Sequence, residues 1–136
     1  MLTLTDPSRL LAGTVLLTIV GIEFGGWFLM RIARGQVELT PFQQKFARAG
    51  HAHAGVLVTL GLICLLLADA AGLDGAIGWL ARIGVPAAAA LMSSGFFFSS
   101  MGKNVTKPNK LIGLIWLGAL SLAVGVTSIG IGLLVA

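Results

Sequence analysis

Four apolar stretches, each about as long as a lipid bilayer is thick, constrain this chain more than any other feature. A spanning helix takes about 20 mostly apolar residues, and such stretches occupy about 10–30, 41–70, 77–101 and 111–136. Hydrophobic residues make up 57% of the chain and charged residues only 10%, against about a quarter in soluble domains. The sequence therefore predicts an all-α integral membrane protein, a single four-helix transmembrane bundle over residues 1–136.

Local signals place the starts of these helices. Pro7 and Ser8 precede the first stretch, which lacks a small-residue cleavage site followed by a polar region. We therefore expect a retained helix rather than a removed signal peptide. At the second helix, Thr40 is a capping residue followed by Pro41 at the first helical position. Pro86 predicts a kink near the start of the third helix.

Basic residues are concentrated in two of the connections. The first and third connections and their flanks carry Arg31, Arg34, Lys45, Arg48, Lys103, Lys107 and Lys110. The other end of the predicted bundle carries Arg9, Arg82, Asp6, Asp69 and Asp74. Because cytoplasmic loops are enriched in Lys and Arg, we expect the basic connections in the cytoplasm and both termini outside a bacterial-type inner membrane. These charges flank apolar segments, so they indicate contacts with membrane lipids and no nucleic-acid binding.

The chain has only two histidines, His51 and His53, and both lie near the start of the second helix. An ionisable side chain inside a membrane helix is costly and is by default a functional-site hypothesis. Glu23 lies at a similar depth, about 10 Å from the cytoplasmic end of the first helix at 1.5 Å per residue. The third and fourth helices place at this level Met92, Ser93, Ser94, Phe97, Ile115 and Trp116. The sequence thus predicts one layer of polar and aromatic residues in the cytoplasmic half.

The spacing of the two histidines limits their chemistry. Residues two apart on a helix point about 200° from each other, so His51 and His53 cannot bind one metal ion together, and a closed zinc site is not expected. One imidazole can instead bind a haem iron while the other supports a propionate, a second cofactor or a neighbouring subunit. Arg48 and Lys45 offer cations for propionates. The alternative is that each histidine only forms a hydrogen bond at a helix interface.

Glu23 has three interpretations from the sequence. It is a proton relay, a buried acid, or a hydrogen-bond partner that orients one of the imidazoles. We expect the third, a pairing of Glu23 with a histidine.

Three short motifs resemble the styrene oxide isomerase family. The run Phe46–Ala49, followed by the histidine, small residue and glycine of His53–Gly55, resembles the second helix of that family. Phe24–Trp27 and Gly95–Ser100 are further likenesses. The family comprises small four-helix membrane proteins that bind haem b between the subunits of a trimer. The resemblance therefore implies haem b as the cofactor and a homotrimer as the assembly.

The resemblance also implies an activity. In the family, one histidine of the second helix ligates the iron, and ferric iron acts as a Lewis acid on an epoxide oxygen. Ring opening and a 1,2-shift then give the aldehyde. Carried over, this implies an isomerase acting on a small hydrophobic epoxide from the lipid phase. The match at His53–Gly55 favours His53 as the iron ligand, whereas a match on Ala47–Ala49 with one inserted residue favours His51.

Two positions depart from the family pattern. Phe97 stands where the family has a tyrosine, and Thr59 stands where it has an asparagine about two turns after its histidine. Both family residues are thought to help the substrate oxygen meet the iron, so Phe97, Thr59 and the added Glu23 are the candidate catalytic positions. Two other functions stay open. One is a non-isomerase haem protein for electron transfer, haem carriage or gas binding; the other is a cofactor-free proton or solute pathway.

Overall fold

The computed structural model describes residues 3–136, and in that range it contains helices and no strands. The helices are α1 (Asp6–Ala33), α2 (Pro41–Ala70), α3 (Gly75–Ser99) and α4 (Gly113–Val135), with one 3₁₀ turn at Lys110–Ile112. All four α-helices are long and apolar enough to cross a membrane. The prediction of an all-α fold with four membrane-length helices is therefore confirmed.

The first helix begins earlier than the apolar pattern predicts. The N-cap is Thr5, whose Oγ1 accepts a hydrogen bond from the Ser8 backbone N–H at 3.4 Å. Pro7 and Ser8 consequently lie inside the first turn of α1 rather than ahead of it. The apolar pattern does not predict this first turn because its residues are polar.

The second helix begins at Pro41 as predicted, and a capping box fixes the start. Thr40 Oγ1 accepts from the Gln43 N–H, and Gln43 Oε1 accepts from the Thr40 N–H, both at 3.2 Å. Each side chain thereby satisfies a backbone donor that the helix leaves unpaired.

The helices differ in how closely they pack. The central helix, α3, packs against α2 on one side and α4 on the other, whereas α1 packs mainly on α2. A Cβ atom added to Gly84 would lie 2.5 Å from the Cα of Gly125, so the backbones of α3 and α4 are in direct contact. Ser121 Oγ also donates to the Gly84 carbonyl at 2.8 Å. Small residues permit such close approach between membrane helices.

Pro86 lies inside α3, at the position where the sequence predicts a kink. In the structure α3 is one helix from Gly75 to Ser99 and passes through Pro86 without a break. The ring packs on α2, where a Cβ atom added to Gly61 would lie 3.1 Å from Pro86 Cγ. A glycine on the neighbouring helix therefore makes room for the proline ring.

The α1–α2 and α3–α4 connections lie together, and we call this end of the bundle the basic end. Thr40 Oγ1 donates to the Val105 carbonyl, which joins the two connections. Gln43 is only 5% exposed, and its Nε2 donates to the carbonyls of Ser100 at 3.0 Å and Gly102 at 2.9 Å. One buried amide thus holds the α3–α4 connection against the start of α2.

The opposite end contains a buried ion pair. Arg82 Nη2 lies 2.7 Å from Asp69 Oδ1, and the two side chains are 8% and 1% exposed. Arg82 also donates to the Leu73 carbonyl at 2.7 Å and to Ser8 Oγ at 3.0 Å. Asp69 accepts from Ser8 Oγ and from the Thr5 N–H, both at 2.8 Å. This cluster ties the start of α1 and the body of α3 to the end of α2.

We expect Arg82→Met to destabilise the protein strongly, because it leaves the Asp69 carboxylate buried without its cation. Breaking a buried ion pair on one side costs about 3–5 kcal/mol. The matched control is Arg9→Met, since Arg9 pairs with Asp6 at a site where the side chains are 72% and 85% exposed. The free energy of unfolding in detergent micelles measures both changes. Equal losses in the two variants would contradict the structural role of the buried pair.

We expect Gly125→Leu to separate α3 from α4, because the new side chain would overlap the backbone of Gly84. Overpacking of this kind costs about 1–3 kcal/mol. Gly130→Leu is the control on the same helix, because nothing lies within 4 Å of a Cβ atom added there. Thermal unfolding in detergent should show a lower midpoint for Gly125→Leu only.

Candidate functional site

His53 lies on the face of α2 that is turned toward α3. Its half-buried ring is 4.9 Å from the ring of Phe96, measured between centroids. Its Nδ1 lies 2.8 Å from the carbonyl oxygen of Ala49, one turn earlier in the same helix. A carbonyl oxygen only accepts hydrogen bonds, so this contact requires the tautomer with the proton on Nδ1, in which the lone pair lies on Nε2. Metal-binding histidines are commonly fixed in this way, with the other ring nitrogen donating to a carbonyl.

A row of aromatic rings leads from the basic end to His53. Phe42 and Phe46 on α2 are 4.3 Å apart between centroids, and Phe46 is 5.4 Å from Phe96. Phe96 in turn meets His53. This row is not among the features predicted from the sequence, although residues 42, 46 and 53 recur on one helical face at spacings of four and seven. It makes the surroundings of the His53 ring aromatic and apolar.

His51 points toward α1 instead. A Cβ atom added to Gly25 would lie 3.3 Å from His51 Nδ1, and one added to Gly26 would lie 3.3 Å from its Cε1. The motif Phe24–Trp27 is thereby explained, since its two glycines admit the imidazole while its two aromatic residues are exposed. The histidines lie on opposite faces of α2, as their spacing predicts.

Thr59 shares a surface with His51. Both line a shallow open groove of about 500 Å³ on the outer side of α2, together with Ala52, Gly55 and Val56. Thr59 Oγ1 donates to the Gly55 carbonyl at 3.0 Å. The structure therefore brings Thr59 together with His51 in this groove, and the Thr59 hydroxyl proton is already used within its own helix.

Phe97 lies closer to the basic end than His53 does. Its ring packs over Gly50, where an added Cβ atom would lie 3.0 Å from Phe97 Cε2. It also lines a crevice of about 240 Å³ with the side chains of Phe28, Leu39, Gln43 and Ala47 and the start of the α3–α4 connection. At this position the chain presents an apolar ring and no hydroxyl group.

Glu23 and Arg48 are both exposed. Glu23 is three residues before Gly26 and so lies one turn from the His51 contact, yet it forms no hydrogen bond to either histidine within residues 3–136. Its pairing with a histidine stays a prediction. Arg48 is three residues before His51, on the side of the basic end. Glu23 and Arg48 thus place one carboxylate and one cation near the level of the histidines.

No group of three or more His, Cys, Asp or Glu side chains in the described range could hold a metal ion. A bare ion would need several protein ligands, whereas haem iron is held by a single histidine together with its macrocycle. The free Nε2 of His53, its apolar surroundings and the cations toward the basic end are chemically compatible with a haem.

Comparison with protein families, with curated proteins and with solved structures finds no match for this chain. The resemblance to the styrene oxide isomerases stays a prediction from the motifs at 24–27, at 46–49 with 53–55, and at 95–100. In the structure these three motifs meet around the two histidines, since Gly25 and Gly26 contact His51 and Phe96 contacts His53.

Proposed function

We propose that this chain is a haem b-binding, multi-pass membrane protein in which His53 is the iron ligand. The observation that supports this most is the contact between His53 Nδ1 and the Ala49 carbonyl. It orients the ring and leaves Nε2 as the nitrogen that can bind iron. His51 is the alternative ligand, and its ring is packed against the backbone of α1 at Gly25 and Gly26.

The surrounding residues supply what such a cofactor needs. Phe96 and Phe46 provide an apolar wall beside His53, and Arg48 and Lys45 are exposed cations that can pair with propionates near the membrane surface. The groove beside His51 is open on its outer side. We infer that a second copy of the chain covers that groove, because the family resemblance implies a homotrimer.

The activity that the resemblance implies is the isomerisation of a small lipophilic epoxide to a carbonyl compound. Ferric haem, when bound, supplies a Lewis-acidic iron for the epoxide oxygen. The reaction rearranges bonds within the substrate, so it requires no net proton from the protein. The task left to Phe96 and Phe97 is to exclude water and to shape the space that an apolar substrate enters from the lipid phase.

A second function, that of a haem protein that is not an isomerase, is favoured because Phe97 and Thr59 offer no free hydroxyl donor. Phe97 has no hydroxyl group, and the Thr59 hydroxyl donates to Gly55. A haem protein that transfers electrons, carries haem or binds a gas has no need of donors for a substrate oxygen. A cofactor-free proton pathway has less support, because Glu23, His51 and His53 form no hydrogen-bonded chain within residues 3–136.

We place the protein in a bacterial-type inner membrane with the basic end in the cytoplasm. Lys103 and Lys107 in the α3–α4 connection and Arg34 in the α1–α2 connection are exposed at that end. Positively charged connections are retained on the cytoplasmic side and attract anionic lipids. Both termini then face outward.

We expect the detergent-purified protein to show a haem Soret band that His53→Ala abolishes and His51→Ala retains. Exogenous imidazole should restore the band to His53→Gly, because it replaces the missing ligand. Loss of the band in His51→Ala alone would move the ligand to His51. A band unaffected by either substitution, or no band in the haem-supplied parent protein, would overturn the proposal.

We expect the haem-loaded protein to convert styrene oxide to phenylacetaldehyde without a redox partner. Phe97→Tyr should raise kcat/KM about tenfold, because one added hydrogen bond to the substrate oxygen has about that effect. Phe98→Tyr is the matched control, since Phe98 is the exposed neighbour in the same helix. If neither the parent protein nor Phe97→Tyr forms aldehyde, while the haem is reduced and reoxidised reversibly, the second function is correct.

A further inference from the structure

The α3–α4 connection, residues 100–109, is held in place by hydrogen bonds at both of its ends. The start of α2 binds its first half. At its other end the Asn109 backbone N–H donates to the Ser99 carbonyl, and Asn109 Nδ2 donates to the Phe98 carbonyl, both at 2.9 Å. Between these ends the backbone turns through a left-handed conformation at Asn104, where φ is 56°. The connection is therefore a fixed part of the protein surface at the basic end.

This connection and the turn after it carry positive charge that no carboxylate offsets. Within eight residues the chain has three exposed lysines: Lys103, Lys107 and Lys110. Of the five carboxylates in the chain, only Glu38 lies in the connections of the basic end, and it forms no ion pair with these lysines within residues 3–136. At the opposite end, by contrast, Arg9 and Arg82 each pair with an aspartate. An anion at the α3–α4 connection therefore meets three cations whose charge the protein does not neutralise.

The backbone of the same segment offers hydrogen-bond donors. None of the N–H groups of residues 103–107 donates to an acceptor within residues 3–136. Successive backbone N–H groups in a turn bind anions, and a lysine ammonium group beside them adds a point charge for a phosphate oxygen. The segment therefore combines the two kinds of group that hold a phosphate.

Apolar side chains adjoin the lysines. Large exposed residues of this kind come just before Lys103 and directly after Lys110: Phe98, Met101 and Leu111. The connection joins two membrane-length helices, so it lies at the level of the lipid head groups. A soluble anion uses only the charges of this surface, whereas a phospholipid uses both the charges and the apolar side chains. These observations therefore favour a lipid as the partner.

We propose that the α3–α4 connection binds the head group of an anionic phospholipid. Lys103 and Lys107 attract its net negative charge, and the N–H groups of residues 103–107 donate to its phosphodiester oxygens. The acyl chains lie along α4 from Leu111 toward Trp116, which is 71% exposed. A zwitterionic phospholipid binds more weakly, because its ammonium group offsets the attraction. The site uses none of the residues assigned to haem and stands whether or not haem is bound.

The test uses Trp116 as a local reporter, because it is exposed on α4 six residues after Lys110. A variant with Trp27→Phe and Trp79→Phe keeps this tryptophan alone. It is reconstituted in phosphatidylcholine vesicles that contain brominated phosphatidylglycerol or brominated phosphatidylcholine with the same acyl chains. Quenching of the Trp116 fluorescence then gives the relative affinities of the two lipids. We expect phosphatidylglycerol to bind about fivefold more tightly, which is the effect of one cation on an anionic lipid.

Two double variants in this background locate the site. Lys103→Gln with Lys107→Gln should bring the two affinities close to equality. Arg31→Gln with Arg34→Gln removes the same charge from the end of α1 and should keep the preference. Sodium phosphate in place of sodium chloride at equal ionic strength should leave the preference unchanged, because inorganic phosphate has no acyl chains.

Three results would overturn the proposal. Equal affinities in the variant that retains only Trp116 would show that the connection does not select anionic lipids. An equal loss of preference in both double variants would show attraction by the whole basic end and no site at the connection. Displacement of phosphatidylglycerol by inorganic phosphate would assign the segment to a soluble anion. The Soret band of the same samples reports on His53 independently, so failure of the lipid site and failure of the haem proposal are told apart.

Discussion

Polar groups placed among apolar helices need partners within the protein, because hydrocarbon supplies none. This constraint organises both ends of the bundle. At one end Arg82 and Asp69 neutralise each other and use their remaining hydrogen bonds on Ser8, Thr5 and Leu73. At the basic end Gln43 satisfies two carbonyls that follow the last turn of α3. The long apolar segments between these ends then pack without buried charges.

The packing between helices is uneven, and it is loosest along α1. The α3–α4 pair is joined by backbone contact at Gly84 and Gly125. By contrast, only 11% of the residues in the most apolar 18-residue stretch of α1 are buried. Separating α1 from α2 therefore exposes less new surface than separating α4 from α3. His51 packs on α1, so the surroundings of this imidazole include the least tightly held helix.

The surroundings of the two histidine rings differ. The Nδ1 of His53 hydrogen-bonds to the Ala49 carbonyl of its own helix, which leaves Nε2 for another partner. His51 is enclosed by two glycines of α1 and borders an open groove. This difference arises because α2 has α1 on one side and α3 on the other. The same helical turn thus carries one imidazole oriented by its own helix against α3 and one imidazole packed on α1.

Hydropathy, charge and capping residues determine the number of helices, the start of α2 at Thr40–Pro41 and the opposite directions of His51 and His53. These properties follow from local sequence, since membrane length, capping boxes and helical periodicity involve neighbours along the chain. Local sequence does not reveal that Asp69 and Arg82 pair, that Gly25 and Gly26 admit His51, or that Phe96 meets His53. Each of these depends on which faces of separate helices meet, and only the tertiary structure decides that.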